Sequence, residues 1–380
     1  VRAEWSSHTA LWTVAVDRTD TGEHIQMTCS FLWLCAGYYR YDQGYAPDWP
    51  GKEQFHGEVV HPQHWPDDLD VTGRHVVVVG SGATAVTVVP ALARDAAHVT
   101  MLQRTPSYVM PVPGDDVVAR TVLAALPPRA AHGVMRWKNV LVGQGMYTLS
   151  RRRPELARRL IRRAQQNYLP TGFDADTHLN PPYNPWDQRV CMVPDGDLFD
   201  AVSSARASIV TDTIERFEPG GVRLSSGEVL TADVVVTATG FTLNPLGGVE
   251  LVVDDVPISM GDTVTYLGAM LSDVPNMAFV VGYTNAAWTL KADLVSIFVC
   301  RLLDHMHKKG YRVVTPQPPP PGDSARRPII DFSSGYVTRS LSRLPQQGAK
   351  VPWRLYQSYP LDVALFRYRP IESSGLRFSA

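Results

Sequence analysis

The chain has 380 residues, 36 Lys+Arg against 37 Asp+Glu, and a formal net charge of −1. At ~100–200 residues per domain, that length allows two or three domains. The balanced charge excludes a global attraction to nucleic acid or anionic lipid as the organising principle. No apolar run reaches the ~18–20 residues of a bilayer span. Val1–Trp5 carries no secretory pattern, and Cys29, Cys35, Cys191 and Cys300 form no CxxC and no dense disulfide framework. These features describe a protein of the enzyme size class in a reducing compartment, read here as cytoplasmic. The first residue is Val, so the chain is expected to begin partway through a longer protein.

In chain order, Leu11–Asp17 and Ile25–Leu34 flank Thr19-Asp20-Thr21-Gly22 and predict a hairpin. Cys35 to Trp65, dense in Gly, Pro and aromatics, reads as a connection between domains. His75–Val79 is a continuous apolar run, as a parallel strand buried on both faces requires. It enters a helix through Gly80-Ser81-Gly82-Ala83-Thr84-Ala85, and a second strand follows at His98–Leu102. Residues 117–169 read as largely helical, and the prolines between 181 and 185 break the pattern. Strands are predicted at Ser208–Thr211, Val222–Leu224, Asp233–Thr237 and Met277–Val281, with a last helix near Thr289–Lys308. Pro316 to Pro321 reads as a stiff spacer before an irregular tail. No internal repeat of solenoid period is present.

The glycine turn is the first motif with chemistry in it. Gly80 permits the tight turn, Gly82 lets a pyrophosphate approach the backbone, and Ala85 allows close helix–strand packing. Ser81, Ala83, Thr84 and Val86 complete the candidate cofactor-binding stretch. Where an NAD site carries an acid after the second strand, this chain has Gln103-Arg104-Thr105. A guanidinium can grip a 2′-phosphate bidentately and Thr105 adds a donor, so Arg104 and Thr105 favour NADPH.

Upstream stands Phe55-x-Gly57-x-x-x-His61-x-x-x-Trp65-Pro66. This pattern resembles the fingerprint of type I Baeyer–Villiger monooxygenases, within the flavin-containing monooxygenase family. Phe31–Tyr45, His61–Leu69, Tyr183–Leu198, Thr237–Phe241 and Gly282–Asp293 extend the resemblance along almost the whole chain, most strongly toward its thioamide-activating members. It implies an α/β fold with two dinucleotide-binding domains: an NADPH-binding Rossmann domain inserted in an FAD domain, here truncated at the N-terminus. The implied division is residues 1–66 for the remainder of the FAD domain and the linker, and 67–230 for the NADPH domain with a helical insertion. Residues 231–310 return to the FAD domain, and 311–380 form the Pro-rich spacer and tail. The family opens on a further strand–GxGxxG–helix for FAD, and no such motif precedes Val1. About one small domain is therefore expected to be missing, leaving this fragment's own FAD binding and activity in question. Val1 matches a position whose backbone meets the FAD adenine in the family.

Arg189, in Trp186-Asp187-Gln188-Arg189, aligns with the family's active-site arginine. The reaction passes through anionic oxygen species in a water-poor pocket, where a fixed guanidinium stabilises developing charge. The competing reading pairs Arg189 with Asp187 on the surface. Seven arginines lie between Arg151 and Arg163, read as a solvated helix face on the inserted domain. The resemblance implies an NADPH- and O2-dependent FAD monooxygenase. It would convert small lipophilic ketones to esters and oxidise thioamide or sulfide sulfur, with no metal, no nucleic-acid partner and no transmembrane segment. An oligomer and peripheral membrane contact stay open. The alternatives are an N- or S-hydroxylating flavin monooxygenase and an inactive NADPH-binding remnant. The absence of a CxxC in the inserted domain disfavours a disulfide reductase.

Overall fold

The structure is a computed structural model that describes residues 1–320, 326–373 and 375–380. The chain forms two compact units, one of residues 41–242 and one of residues 1–40 with 243–380.

The 41–242 unit is built on five parallel strands in the order Ala207–Thr211, His98–Gln103, His75–Val79, Val234–Thr237, Glu58–Val60. Val76 and Val78 pack with Val86 and Val89 of the helix α1 (Ala83–Leu92). On the opposite face, Val77 and Val79 meet Phe217 and Leu224 from a small antiparallel sheet. A period of two with both faces covered is why His75–Val79 reads as an unbroken apolar run. The helical stretch comprises α2 (Val117–Ala125), α3 (Pro128–Arg152) and α4 (Pro154–Gln166). Asp116 caps α2 by accepting from Ala119 N–H at 3.1 Å, and Pro154 sets the first turn of α4.

This sheet draws its members from farther apart than the expected division at 66 and 230. Glu58–Val60 and Val234–Thr237 hydrogen-bond into it, so the unit runs from 41 to 242. The strand Glu58–Val60 falls inside what reads as connection, because three residues are too few to show a period.

The other unit carries a mixed sheet in the order Val256–Pro257, Glu250–Val253, Arg2–Ser6, Leu11–Asp17, His24–Cys29. The expected hairpin forms, yet Ile25–Leu34 splits. Asn276 receives Leu32 N–H at its carbonyl and donates its side-chain amide to Ser30 O, turning Leu32–Leu34 aside to pair with Met277–Phe279. Trp5 and Trp12 fill the core, their ring centroids 5.6 Å apart. The helix Trp288–Lys309 ends on Gly310 in the left-handed region, φ 71°, behind a basic last turn. Pro316 closes the strand Val313–Pro316, paired with Leu376–Ser379, instead of opening a spacer, and Pro321 lies outside the described residues. The tail contains the helix Tyr359–Tyr368, so it is not irregular throughout.

Candidate active site

Gly80 has φ 143°, and a Cβ there would stand 2.3 Å from Ala238 O. Only glycine fits that turn. Its N–H donates to Leu102 O at 2.8 Å, holding the end of one strand against its neighbour. Ser81 Oγ lies 2.9 Å from both Thr105 O and Ser107 Oγ, tying the turn to the segment after the second strand. Gly82 caps α1 with no side-chain hydrogen bond, is exposed, and a Cβ there would meet nothing within 4 Å. Unpaired helix N–H groups beside open space are what a pyrophosphate needs. Ala85 and Val86 are buried in the core, and Val86 N–H is used within the helix, donating to Gly82 O at 3.1 Å. Their part in the stretch is packing.

Gln103 is buried and donates to His178 O at 2.7 Å and Thr211 Oγ1 at 2.9 Å. It is therefore spent inside the protein, and Arg104 is the exposed residue at the strand end. The glycine turn and Arg104 together fit a dinucleotide bearing a 2′-phosphate. Among the described residues this Gly-x-Gly-x-x-Ala turn between strand and helix occurs once. A second one, suited to the pyrophosphate of FAD, is not found there. Val1, the carried-over adenine contact, is 58% exposed, and its carbonyl accepts from Glu250 N–H at 3.2 Å.

The fingerprint residues are built into the same unit. Phe55 packs edge-on to Phe217 with centroids 5.6 Å apart, and a Cβ on Gly57 would stand 2.3 Å from Asp233 O. His61 caps the short turn Pro62–His64, its Nδ1 accepting from Gln63 N–H at 3.2 Å. Its ring lies where a Cβ of Gly44 would be. Burial lowers its pKa, partly offset by the Gly240 carbonyl. Trp65 follows that turn and Pro66 O accepts from Leu69 N–H.

Arg189 directly follows a turn, closed by the Pro185–Gln188 bridge, that is held from several sides. Asn184 O accepts from Asp187 N–H at 3.0 Å, and Asp187 Oδ2 accepts from Asn184 N–H at 3.0 Å. Trp186 sits between them at φ 70°, buried edge-on against Tyr147 of α3 with centroids 5.7 Å apart. That conformation costs a bulky L residue about 1 kcal/mol or more and persists only where its surroundings enforce it. The enforcing groups come from the basic run. Arg151 Nη1 donates to Asp187 Oδ1 at 2.6 Å, and Arg158 Nη2 donates to Asn184 Oδ1 at 2.8 Å and Tyr183 O at 3.2 Å. Arg162 bonds Asp176 at 2.7 Å. Three of the seven arginines thus bind the segment 176–187, which corrects their reading as a purely solvated face. Sequence reasoning missed this clamp: 36 residues separate Arg151 from Asp187 and no local spacing announces the pair.

Asp187 is therefore engaged by Arg151, and no ion pair joins it to Arg189 among the described residues. Arg189 is exposed. Beyond it Cys191–Pro194 pairs in parallel with Val109–Val112. Burial pushes the Cys191 thiol up to about 11, with the charge of Arg189 pulling the other way. The glycine turn leaves helix N–H groups open to a phosphorylated dinucleotide, and the held segment 183–187 is followed by Arg189 at an exposed position.

Residues 2–125 match the family described as flavin-binding monooxygenase-like. The whole chain is 48% identical to the FAD-containing monooxygenase EthA of Mycobacterium tuberculosis over 380 residues, 77% of that protein. Among solved structures, an oxidised steroid monooxygenase bound to NADP matches with a TM-score of 0.72 at 19% identity, over 100% of this chain and 79% of that one. An open structure of cyclohexanone monooxygenase matches with a TM-score of 0.66 at 18% identity, over 100% of this chain and 79% of the other.

Proposed function

The chain belongs to the flavin-binding monooxygenase-like family, and from that premise we propose that it is an NADPH- and O2-dependent monooxygenase of the Baeyer–Villiger type. It inserts one oxygen atom into small lipophilic ketones to give esters, and oxidises thioamide or sulfide sulfur. The observation that carries this reading is Arg189, exposed just past a clamped turn whose acid, Asp187, is taken by Arg151. A guanidinium so placed holds an anionic oxygen and the oxyanion of a ketone adduct, with no carboxylate paired to it among the described residues. Gly80, Gly82 and the free N–H groups at the start of α1 hold the pyrophosphate of NADPH, and Arg104 with Thr105 its 2′-phosphate. NADPH would supply the hydride. FAD, which names the relatives, would supply electron transfer to dioxygen.

The test supplies the protein with FAD, NADPH, isotopically labelled dioxygen and a methyl ketone, and identifies the product by mass. An ester carrying one labelled oxygen is expected, and a thioamide in its place should give the S-oxide. Ketone recovered unchanged while a sulfide or amine is oxidised would replace this reading with the hydroxylating one. NADPH binding with no oxygenated product from any of them would overturn it.

A further inference from the structure

Between residues 117 and 166 eleven arginines and lysines stand against one acid, Glu155, in a chain whose total charge is −1. Some are neutralised from outside the run: Arg120 by Asp115, Lys138 by Asp116, Arg151 by Asp187 and Arg162 by Asp176. Arg129, Arg152, Arg153, Arg159 and Arg163 are exposed and have no carboxylate partner among the described residues. The same helices expose apolar side chains that ordinary folding would bury. On α3, Val134, Trp137 and Leu141 recur at three- and four-residue steps along one line, and Trp137 and Leu141 are 42% and 59% exposed. Arg152, five turns beyond Val134, falls on that line. On α4 the division is sharper: Ala157, Ile161 and Gln165 are buried, while Leu156, Arg159, Leu160 and Arg163 share the exposed face.

We propose that the exposed faces of α3 and α4 dock on an anionic phospholipid bilayer, with the apolar side chains entering the interface and the arginines lying at the phosphates. Charge complementarity selects this occupant. A second copy seated face to face would set one strongly basic surface against another. A nucleic acid would satisfy the arginines and leave Trp137, Leu141 and Leu160 facing phosphate and water. A basic helix face with Trp and Leu lying in the interface is matched to headgroups above and acyl chains below. No helix is long and apolar enough to cross a membrane among the described residues, so the contact is peripheral. This inference does not depend on the oxygenation proposed above.

The experiment is co-sedimentation of the full chain with phosphatidylcholine vesicles, with and without phosphatidylglycerol. The chain should partition onto the anionic vesicles, weakly onto neutral ones, and less as salt rises. Two variants separate the components. Arg152→Glu/Arg159→Glu/Arg163→Glu should lower partitioning more than ~10-fold, and Trp137→Ser/Leu141→Ser should lower it even at low salt. All five positions are exposed, and thermal melts check that the variants stay folded. The proposal is overturned by indifference of the unmodified chain to anionic vesicles, by parental partitioning of both variants, or by a dimer in light scattering that either variant converts to monomer. Retention of single-stranded DNA by Trp137→Ser/Leu141→Ser together with undiminished vesicle partitioning would overturn it in favour of a phosphate-only surface.

Discussion

Arg151 Nη1 lies 2.6 Å from Asp187 Oδ1, so the acid two positions before Arg189 is held from another helix. The pair is substantially exposed, with side-chain accessibilities of 45% and 33%. Surface ion pairs of this kind contribute about 0–1 kcal/mol, too little to explain the turn as a device for stability. Its consequence is positional. Asp187, the acid nearest to Arg189 in sequence, is engaged by Arg151, while Trp186 is kept at a positive φ against Tyr147.

Arg189→Ala should therefore leave folding intact and lower ketone oxygenation by ~10² or more, the usual cost of losing one preorganised oxyanion donor. Arg189→Lys should recover part of that, since an ammonium keeps the charge and loses the planar fork. Arg151→Met should also leave the melting temperature nearly unchanged, yet lower the fraction of consumed NADPH that appears as product. Measuring ester formed per NADPH oxidised decides the matter. Near-parental turnover in Arg189→Ala would make Arg189 an ordinary surface residue.

The two glycines of the phosphate turn should separate folding from binding. Gly80→Ala places a Cβ at φ 143° and 2.3 Å from a carbonyl oxygen, and should destabilise the protein by about 3 kcal/mol or more. Gly82→Ala has an ordinary φ of −81° and open space around its Cβ, so its stability should stay within about 0.5 kcal/mol. The new methyl fills the approach to the uncapped helix, and NADPH affinity should fall ~10-fold or more. Denaturant melts and nucleotide titrations read the two effects. An alanine at 82 that binds NADPH as before would remove the phosphate from this turn.

Arg104 tests the choice of nucleotide. Charge-assisted hydrogen bonds contribute about 1.5–3 kcal/mol each, so Arg104→Ala should weaken NADPH binding by ~10–100-fold and leave NADH binding nearly untouched. Equal affinities for both nucleotides in the parent would show that the exposed guanidinium reads nothing.

How legible all this was differs from place to place for physical reasons. His75–Val79 and its glycine turn stand out because a strand covered on both faces must be apolar throughout and Gly80 has no substitute. Glu58–Val60 was hidden in a Pro- and Gly-rich stretch because parallel pairing to Val234–Val236 is written nowhere in its three residues. Trp186-Asp187-Gln188-Arg189 was visible as a string, whereas the clamp that shapes it depends on tertiary contacts from α3 and α4. Lys291 lies within Gly282–Asp293, but its burial depends on Asp362, 71 residues away.

That buried pair gives a stability test. Lys291 is 2% exposed, with Nζ 2.8 Å from Asp362 Oδ2 and 4.1 Å above the Phe366 ring centroid, and Tyr283 donates to the same carboxylate oxygen at 2.6 Å. Burial pulls the Lys291 pKa down while Asp362 opposes it. Removing one partner strands a buried charge, so Lys291→Ala should cost about 3–5 kcal/mol. Lys291→Met/Asp362→Leu keeps the volume without the charges and should cost markedly less. Urea melts of both compare them directly, and a double variant as unstable as the single one would assign the loss to packing alone.

His61 links the fingerprint to pH. Its Nδ1 accepts from Gln63 N–H, so the neutral ring carries its proton on Nε2, and protonating Nδ1 breaks the cap. Burial lowers its native pKa below the ordinary 6.5, as burial also does for His178 in the same unit. The unfolded chain therefore binds more protons than the native one in the window just below pH 6.5. Stability must rise with pH through that window and be lost as the solution is acidified. His61→Asn retains a side chain that caps short helices well and does not titrate. Thermal melts between pH 7 and pH 5 should show a shallower loss for His61→Asn than for the parent, and shallower still with His178→Asn added. Parallel curves for the parent and both variants would mean that neither ring is held neutral by the fold.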